Sequence, residues 1–195
     1  MFFDEKLDVL IVDPNYSGGH NAYCHSLSKI LSKCGMNIVY LNRQAENVKN
    51  PTYRHIGLGC DGQVVTNKIY GYVRLFNAIM KYSKAGYIIF YQSINMYMLV
   101  CLVMVVLLGG KNKDWYFTLH NLIPHTKKIK DRIEYWLVEF MVSTKLFKKA
   151  VYHFDFYEDK KEMKCDVNMR LKNKMIFIPH HLFCSKGCDE DDEYK

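Results

Sequence analysis

The feature that most constrains this chain is a nearly unbroken apolar run from Leu7 to Val12, interrupted only by Asp8. Such a run is typical of a strand buried on both faces, as in a parallel sheet. Pro14 ends the strand, because proline has no N–H to donate to a strand ladder. The run therefore predicts an α/β protein with this strand near the middle of a mostly parallel sheet.

A helix is predicted after the adjacent glycines Gly18 and Gly19. Apolar residues recur there at i, i+4, i+7, i+8 and i+11, which places them on one stripe: Tyr23, Leu27, Ile30, Leu31 and Cys34. Gly35 stands where a left-handed C-cap belongs, and a second strand is predicted from Asn37 to Leu41. Strand, loop, helix and strand together open a βαβ unit.

The glycine loop has two interpretations. A helix N-terminus presents unpaired N–H groups and a partial positive charge, which favour phosphate, and glycines let a ligand approach the backbone closely. His20 would then face the crevice above the strand ends, where open α/β sheets bind ligands. Alternatively, Gly18 and Gly19 simply make a tight turn. The spacing matches neither the dinucleotide-binding fingerprint GxGxxG nor the phosphate loop GxxxxGK[ST].

Charge is unevenly distributed along the 195 residues. The formal charge is +7, but the terminal DEDDEYK holds five acids and one lysine, so the rest carries 26 basic and 15 acidic residues, or +11. This positive charge favours anionic partners: phosphorylated ligands, anionic lipid or nucleic acid. No recognisable RNA- or DNA-binding module accompanies the charge, so no nucleic-acid partner is predicted. We predict one domain over residues 1–183 and an acidic tail over residues 184–195.

Seven scattered cysteines, an odd number, favour reduced thiols and a cytoplasmic protein. The N-terminus also lacks the sustained apolar run of a signal peptide. Cys184 and Cys188 could form a metal site with His180 and His181, but CxxxC with two adjacent histidines fits zinc spacing poorly. No metal and no cofactor are predicted.

The middle of the chain continues the alternation of strands and helices. Residues 42–65 show little periodicity and are predicted to form a long connection. A helix is predicted from about Asn67 to Lys84, with its apolar stripe on Ile69, Val73, Phe76 and Met80. Four further strands are predicted: Tyr87–Tyr91, Trp115–Leu119, Val151–Phe154 and Met175–Ile178.

Two segments are strongly apolar. Met96 to Leu108 is apolar throughout, but a membrane-spanning helix needs about 20 such residues, so a fully buried helix is expected. A second helix, from about Asp131 to Lys149, is apolar nearly all round and flanked by lysines. That composition suits burial on two sides or peripheral contact with an anionic membrane.

Three predicted strands end at or next to a histidine: His120, His153 and His180. A lone histidine at a strand end is usually structural. Parallel strands, however, place their ends on one rim, so several histidines there would face the glycine loop together. This arrangement favours a site for an anionic, hydroxyl-rich ligand.

Four segments together resemble the N-terminal domain of family 4 glycosyltransferases, retaining enzymes of the GT-B fold: SGGHNAYCHSLSKILSKCG, YFTLHNLIPH, VYHF and MIFIPHH. They occur in the order of the family and reach from the first strand to His181. The resemblance implies a single Rossmann-like, doubly wound domain. It also implies transfer of a sugar from a nucleotide-sugar donor to a glycan or lipid-linked acceptor, as in polysaccharide biosynthesis.

The resemblance also implies roles for particular residues. Gly18 and Gly19 correspond to the loop that lies against the donor diphosphate, with His20 beside them. His120 corresponds to the histidine that contacts the donor sugar and the acceptor side, which makes it the catalytic candidate. His153 would line the same cleft, and His180 belongs to the segment that closes this domain. The acceptor hydroxyl would attack on the face that the nucleotide leaves, and the leaving phosphate would help to remove its proton.

The chain departs from the family in one large respect. The family binds its nucleotide mainly through a second domain with two glutamates separated by seven residues, and no glutamate pair here has that spacing. The chain is therefore expected to be half an enzyme: a truncated product, an acceptor-binding subunit completed by a second chain, or a degraded relative. We expect it to be inactive alone.

Overall fold

The computed structural model describes residues 7–14, 19–44, 49, 52–59, 68–92, 96–110, 115–119, 129, 133, 136, 140, 149–154 and 175–179. Strands and helices alternate along this part of the chain. In chain order they are β1 (Asp8–Val12), α1 (Gly19–Lys33), β2 (Asn37–Asn42), β3 (Arg54–Gly57), α2 (Lys68–Lys84), β4 (Ile88–Tyr91), α3 (Met96–Leu107), β5 (Trp115–Leu119), β6 (Lys149–Phe154) and β7 (Met175–Pro179).

All seven described strands form one parallel sheet in the order β3-β2-β1-β4-β5-β6-β7. β1 lies between β2 and β4, with Leu10 opposite Val39 on one side and Ile89 on the other. The predicted doubly wound α/β fold, with the first strand inside the sheet, is confirmed. The direction in which the strands are added reverses between β1 and β4, so the topological switch point lies there.

The two faces of the sheet carry separate hydrophobic clusters. From β1, Leu10 and Val12 pack into the cluster under α2 and α3, whereas Val9 and Ile11 pack into the cluster under α1. Successive side chains of a strand point to opposite faces, so a strand covered on both faces must be apolar at every position. This is why Val9 to Val12 lacks the alternation of a half-exposed strand.

The helices α1, α2 and α3 end in the same way. Gly35, Gly86 and Gly109 have φ values of +86°, +87° and +83°, which residues without a Cβ adopt most easily. In α2, Gly86 N–H donates to Ser83 O and Tyr87 N–H donates to Tyr82 O, both at 3.1 Å. This is the Schellman arrangement. The predicted stop at Gly35 is confirmed.

The buried stripes of α1 and α2 are rotated from the predicted ones. In α1 the fully buried positions are Cys24 and Ser28, whose small side chains let the helix approach the sheet closely. The Ser28 hydroxyl is satisfied by donating to Cys24 O at 2.7 Å. In α2 the core side chains include Leu75 and Ile79. The predicted stripe was therefore wrong at Ile69 and Val73, which are exposed, whereas Phe76 and Met80 pack against the core.

Three further expectations about elements were wrong. α3 is not fully buried, because only one side of it packs on the sheet. Residues 42–65, which were predicted to form a connection, contain the edge strand β3. β3 is too short and too polar to show the apolar pattern of a strand. The helix predicted to reach Lys149 must end earlier, because Lys149 begins β6. Among the described residues, no helix combines the length and apolar character needed to cross a membrane.

Candidate functional site

The candidate site begins where β1 and β4 end, at the switch point. Asp13 follows β1 and Gln92 follows β4, and both are fully buried. The backbone holds them beside the neighbouring strands: Asp13 N–H donates to Leu41 O at 3.0 Å, and Gln92 N–H donates to Val12 O at 2.9 Å. A carboxylate and a carboxamide therefore lie next to each other at the carboxyl ends of adjacent strands, below the start of α1.

A polar network lies beside them on the α1 face of the sheet. Asn42, the last residue of β2, donates through Nδ2 to Asn21 Oδ1 at 3.0 Å and to the Tyr40 hydroxyl at 3.1 Å. The Tyr40 hydroxyl donates to the same Asn21 oxygen at 2.8 Å. His55 of β3 pairs through Nε2 with Asn42 Oδ1 at 3.1 Å. These bonds tie the first turn of α1 to the end of β2 and to β3.

His25 and Tyr53 complete the network. The His25 ring lies 4.9 Å from the Tyr40 ring and 5.3 Å from the His55 ring between centroids, and its Nδ1 is hydrogen-bonded to the Tyr53 hydroxyl. Burial, together with the nearby Lys29, lowers the pKa of His25. Burial and the neighbouring His25 lower the pKa of His55 to about 4. Both rings are therefore neutral at pH 7 and serve as hydrogen-bonding groups.

The buried thiol next to this network is not a nucleophile. Cys24 Sγ lies 3.9 Å from Asp13 Oδ2 and donates to it. Burial raises the pKa of Cys24, and the Asp13 carboxylate raises it further. Since the reactive form of cysteine is the thiolate, this environment disfavours cysteine chemistry and suits an inert structural thiol.

A cation lies on the opposite side of the same rim. Arg43 directly follows β2, is largely buried, and places its guanidinium carbon 5.4 Å from the centroid of the Tyr72 ring of α2. Arginine presents several N–H donors in a fixed plane that matches phosphate and carboxylate. The rim thus combines a positive helix N-terminus and a guanidinium with hydrogen-bonding side chains.

Three of the predicted site residues, Gly19, His20 and His153, lie in described elements. Gly19 and His20 are the first two residues of α1. His153 is in β6, one residue after Tyr152, which pairs with Leu119 at the end of β5. Gly18, His120 and His180 lie outside the described residues, although His120 directly follows β5 and His180 directly follows β7. Their common crevice stays a prediction.

The predicted candidates did not include the polar residues at the switch point. Asp13 directly follows the predicted strand Leu7 to Val12, and Gln92 directly follows the predicted strand Tyr87–Tyr91. A rule that every polar residue after a buried strand is a site candidate would have found both. The candidate zinc ligands at residues 180–188 lie outside the described part of the chain, within which no cluster of metal-binding side chains occurs.

The neutral histidines predict a pH dependence of stability. The folded state holds the pKa of His55 near 4, below the ordinary value of 6.5, so the unfolded chain binds more protons between these values. Stability should therefore fall as pH decreases from about 6.5 towards 4. Between pH 7 and pH 5 we expect a loss of about 1–2 kcal/mol from this residue, measured by urea unfolding.

The matched variant is His55→Gln, which keeps a donor for Asn42 Oδ1 but does not titrate. Its unfolding midpoint should drop less between pH 7 and pH 5 than that of the natural chain. An equal drop in the two proteins would contradict the assignment of this pH dependence to His55.

Comparison with known proteins adds information on the fold. No protein-family model and no curated protein sequence matches the chain. Sucrose-phosphate synthase from Thermosynechococcus elongatus superposes with a TM-score of 0.58 at 13% identity, covering 89% of this chain and 48% of that chain. A second structure of the same protein gives a TM-score of 0.57 at 12% identity, covering 88% of each chain. The chain thus spans about half the length of the first synthase structure, and its fold is that of a Rossmann-like, glycosyltransferase-like α/β domain.

Proposed function

We propose that this chain is the acceptor-side domain of a nucleotide-sugar-dependent glycosyltransferase, of the retaining family 4 type. It would transfer a sugar to a glycan or lipid-linked acceptor in the cytoplasm, as in polysaccharide biosynthesis. The observation that carries the proposal is the switch-point rim of a sheet of glycosyltransferase-like fold. There the buried Asp13 and Gln92 follow β1 and β4 below the start of α1, and Arg43 follows the neighbouring strand β2.

The chemistry of the rim suits the leaving group of such a reaction. A nucleotide diphosphate develops charge as the sugar departs, and helix-end amides and a guanidinium stabilise such charge without reorganisation. In this proposal Gly18, Gly19 and His20 lie against the donor diphosphate. Hydroxyl groups of the sugar or acceptor would bond to Gln92 and Asp13, since a carboxylate accepts and a carboxamide both donates and accepts.

The histidines of the later strands have the remaining roles. His120 would contact the donor sugar and the acceptor hydroxyl and is the catalytic residue of the proposal. His153 would line the cleft, and His180 would close the domain towards a second one. The nucleotide-sugar is a substrate in this scheme, and no cofactor is required.

A second chain or domain is part of the proposal. The likeness covers 48% of the synthase chain. The alternative proposal is a non-catalytic subunit that holds the acceptor for a separate donor-binding chain. A helix N-terminus contributes only about 0.3–1 kcal/mol per charge. Micromolar binding needs about 8 kcal/mol, so a donor-binding partner must supply most of the affinity.

We therefore expect the purified chain to bind uridine diphosphate more weakly than micromolar and to transfer no sugar alone. Calorimetry measures the first quantity, and transfer from radiolabelled nucleotide-sugars to cell-extract acceptors measures the second. Affinity capture from the source cells should recover a donor-binding chain that carries the paired glutamates, and adding it should restore transfer.

The outcomes separate the alternatives. Micromolar affinity of the isolated chain for uridine diphosphate would contradict the half-enzyme proposal. Recovery of a donor-binding partner that transfers equally well without this chain would identify this chain as a non-catalytic subunit. Failure to recover any partner, with no transfer in any mixture, would overturn the proposed function.

A further inference from the structure

The outer side of α3 is apolar. Val100, Val103, Met104 and Leu107 are spaced i, i+3, i+4 and i+7 and are 42 to 71% exposed. No residue of α3 is charged. A helix on the surface of a water-soluble domain normally turns a polar face outwards, so the outer stripe of α3 needs a further explanation.

The neighbouring helix extends this surface. Ile69 and Val73 of α2 are 73% and 50% exposed, and they line an open groove of about 270 Å³ between α2 and α3 together with Val100 and Met104. Both helices run antiparallel to the parallel strands and pack on the same face of the sheet. Their outer stripes therefore lie in one plane. We call Ile69, Val73, Val100, Val103, Met104 and Leu107 the α2–α3 face.

The chain segment that contains α2 and α3 is basic. From Gly62 to Lys113 the chain contains six basic residues and no acidic residue. Lys81 and Lys84 are exposed at the end of α2. If a second copy docked on this face through a two-fold axis, the basic residues of α2 would face those of the other copy. An anionic surface would instead neutralise them, and each lysine near such a surface strengthens binding.

Further apolar residues continue the surface. Between β5 and β6 the described residues Ile129, Ile133, Trp136 and Phe140 are helical and exposed. The β5–β6 connection advances across the sheet in the same direction as the β4–β5 connection. Because such crossovers share one hand, this helical segment is placed on the same side of the sheet as α3. Tryptophan is also a residue typical of membrane interfaces.

We propose that the α2–α3 face docks the protein flat on an anionic lipid bilayer. The apolar stripes would enter the boundary between head groups and acyl chains, as interfacial amphipathic helices do, while Lys81 and Lys84 contact the head groups. If the proposed glycosyltransferase activity is correct, the rim would open roughly one helix diameter, about 10 Å, above the lipid. A lipid-linked acceptor could then reach it from the same bilayer.

The test is sedimentation of the full chain with vesicles, which does not depend on any enzymatic activity. Vesicles containing about one-third phosphatidylglycerol should bind the protein at low salt, and pure phosphatidylcholine vesicles should bind it much less. Val100→Glu/Leu107→Glu, at exposed positions, should lower the partition coefficient at least tenfold. Lys81→Glu/Lys84→Glu should lower it by roughly fivefold or more per lysine and reduce its salt dependence.

Matched controls come from α1, on the opposite face of the sheet. Ile30 is an exposed apolar residue there, and Lys33 is exposed in the last turn. Ile30→Glu and Lys33→Glu should leave vesicle binding unchanged. Absence of binding to phosphatidylglycerol vesicles, or an equal loss in the α1 controls, would overturn the proposal. So would a concentration-dependent dimer in light scattering that Val100→Glu/Leu107→Glu abolishes while vesicle binding persists.

Discussion

Replacing His120 with alanine in the complete enzyme, this chain together with its donor-binding part, is expected to lower sugar transfer at least a hundredfold. His120 directly follows β5, and Leu119 is the last residue of that strand. β5 pairs with β4, and Phe117 of β5 lies opposite Tyr91 of β4. The buried Gln92 directly follows Tyr91. A group that moves or orients a proton at the reacting hydroxyl typically contributes 10²–10⁴-fold.

The measurement is the initial rate of transfer, accompanied by thermal unfolding to show that the fold is retained. His125→Ala is the matched control, because His125 lies in the same HNLIPH segment and has no role in the proposal. Its rate should stay within a few-fold of the natural enzyme. If transfer by His120→Ala remains within tenfold of the natural rate, His120 does not have the catalytic role.

The fold was predictable because its decisive signals are local. An uninterrupted apolar run such as Val9 to Val12 needs cover on both faces wherever it lies in the chain. Gly35 and Gly86 stop their helices because their backbone conformation disfavours residues with a Cβ. Neither signal depends on distant residues, so each could be interpreted without knowing the packing.

The orientation of the helices could not be predicted in the same way. α2 carries apolar side chains on its core side, such as Leu75 and Ile79, and on its outer side, such as Ile69 and Val73. When the apolar arc of a helix is that wide, periodicity does not determine its centre. The same ambiguity led to the wrong expectation that α3 is fully buried.

Only part of the candidate site could be predicted from the sequence. Asp13 and Gln92 are detectable as polar residues that directly follow buried strands. The contacts of His55 with Asn42 and His25 were not detectable, because they depend on β3, an edge strand of four residues within an apparently irregular segment. Contacts between residues 13 and 30 positions apart require the tertiary register, which sequence periodicity does not contain.

The two tryptophans offer a direct test of the packing. Trp115 is 0% exposed, packs in the cluster under α2 and α3, and meets the Tyr91 ring edge-on at 5.5 Å between centroids. Trp115→Ala should lower the free energy of unfolding by about 3–5 kcal/mol, as large-to-small core substitutions of aromatic residues do. That is a large part of the roughly 5–15 kcal/mol that stabilises a typical domain. Urea unfolding measures the loss, and Trp115→Phe should retain most of the stability if the alanine variant does not fold.

Trp136 is the matched control, because it is the same residue type but 59% exposed. It stacks on Phe140 at 5.9 Å between ring centroids, and Trp136→Ala should change the free energy of unfolding by no more than about 1 kcal/mol. The chain has two tryptophans, so each variant isolates the fluorescence of the other one. Emission of Trp136→Ala should be blue-shifted, since only buried Trp115 remains, and emission of folded Trp115→Phe should be red-shifted. Equal losses of stability in the two alanine variants, or the reverse order of emission maxima, would contradict the placement of Trp115 in the core and Trp136 at the surface.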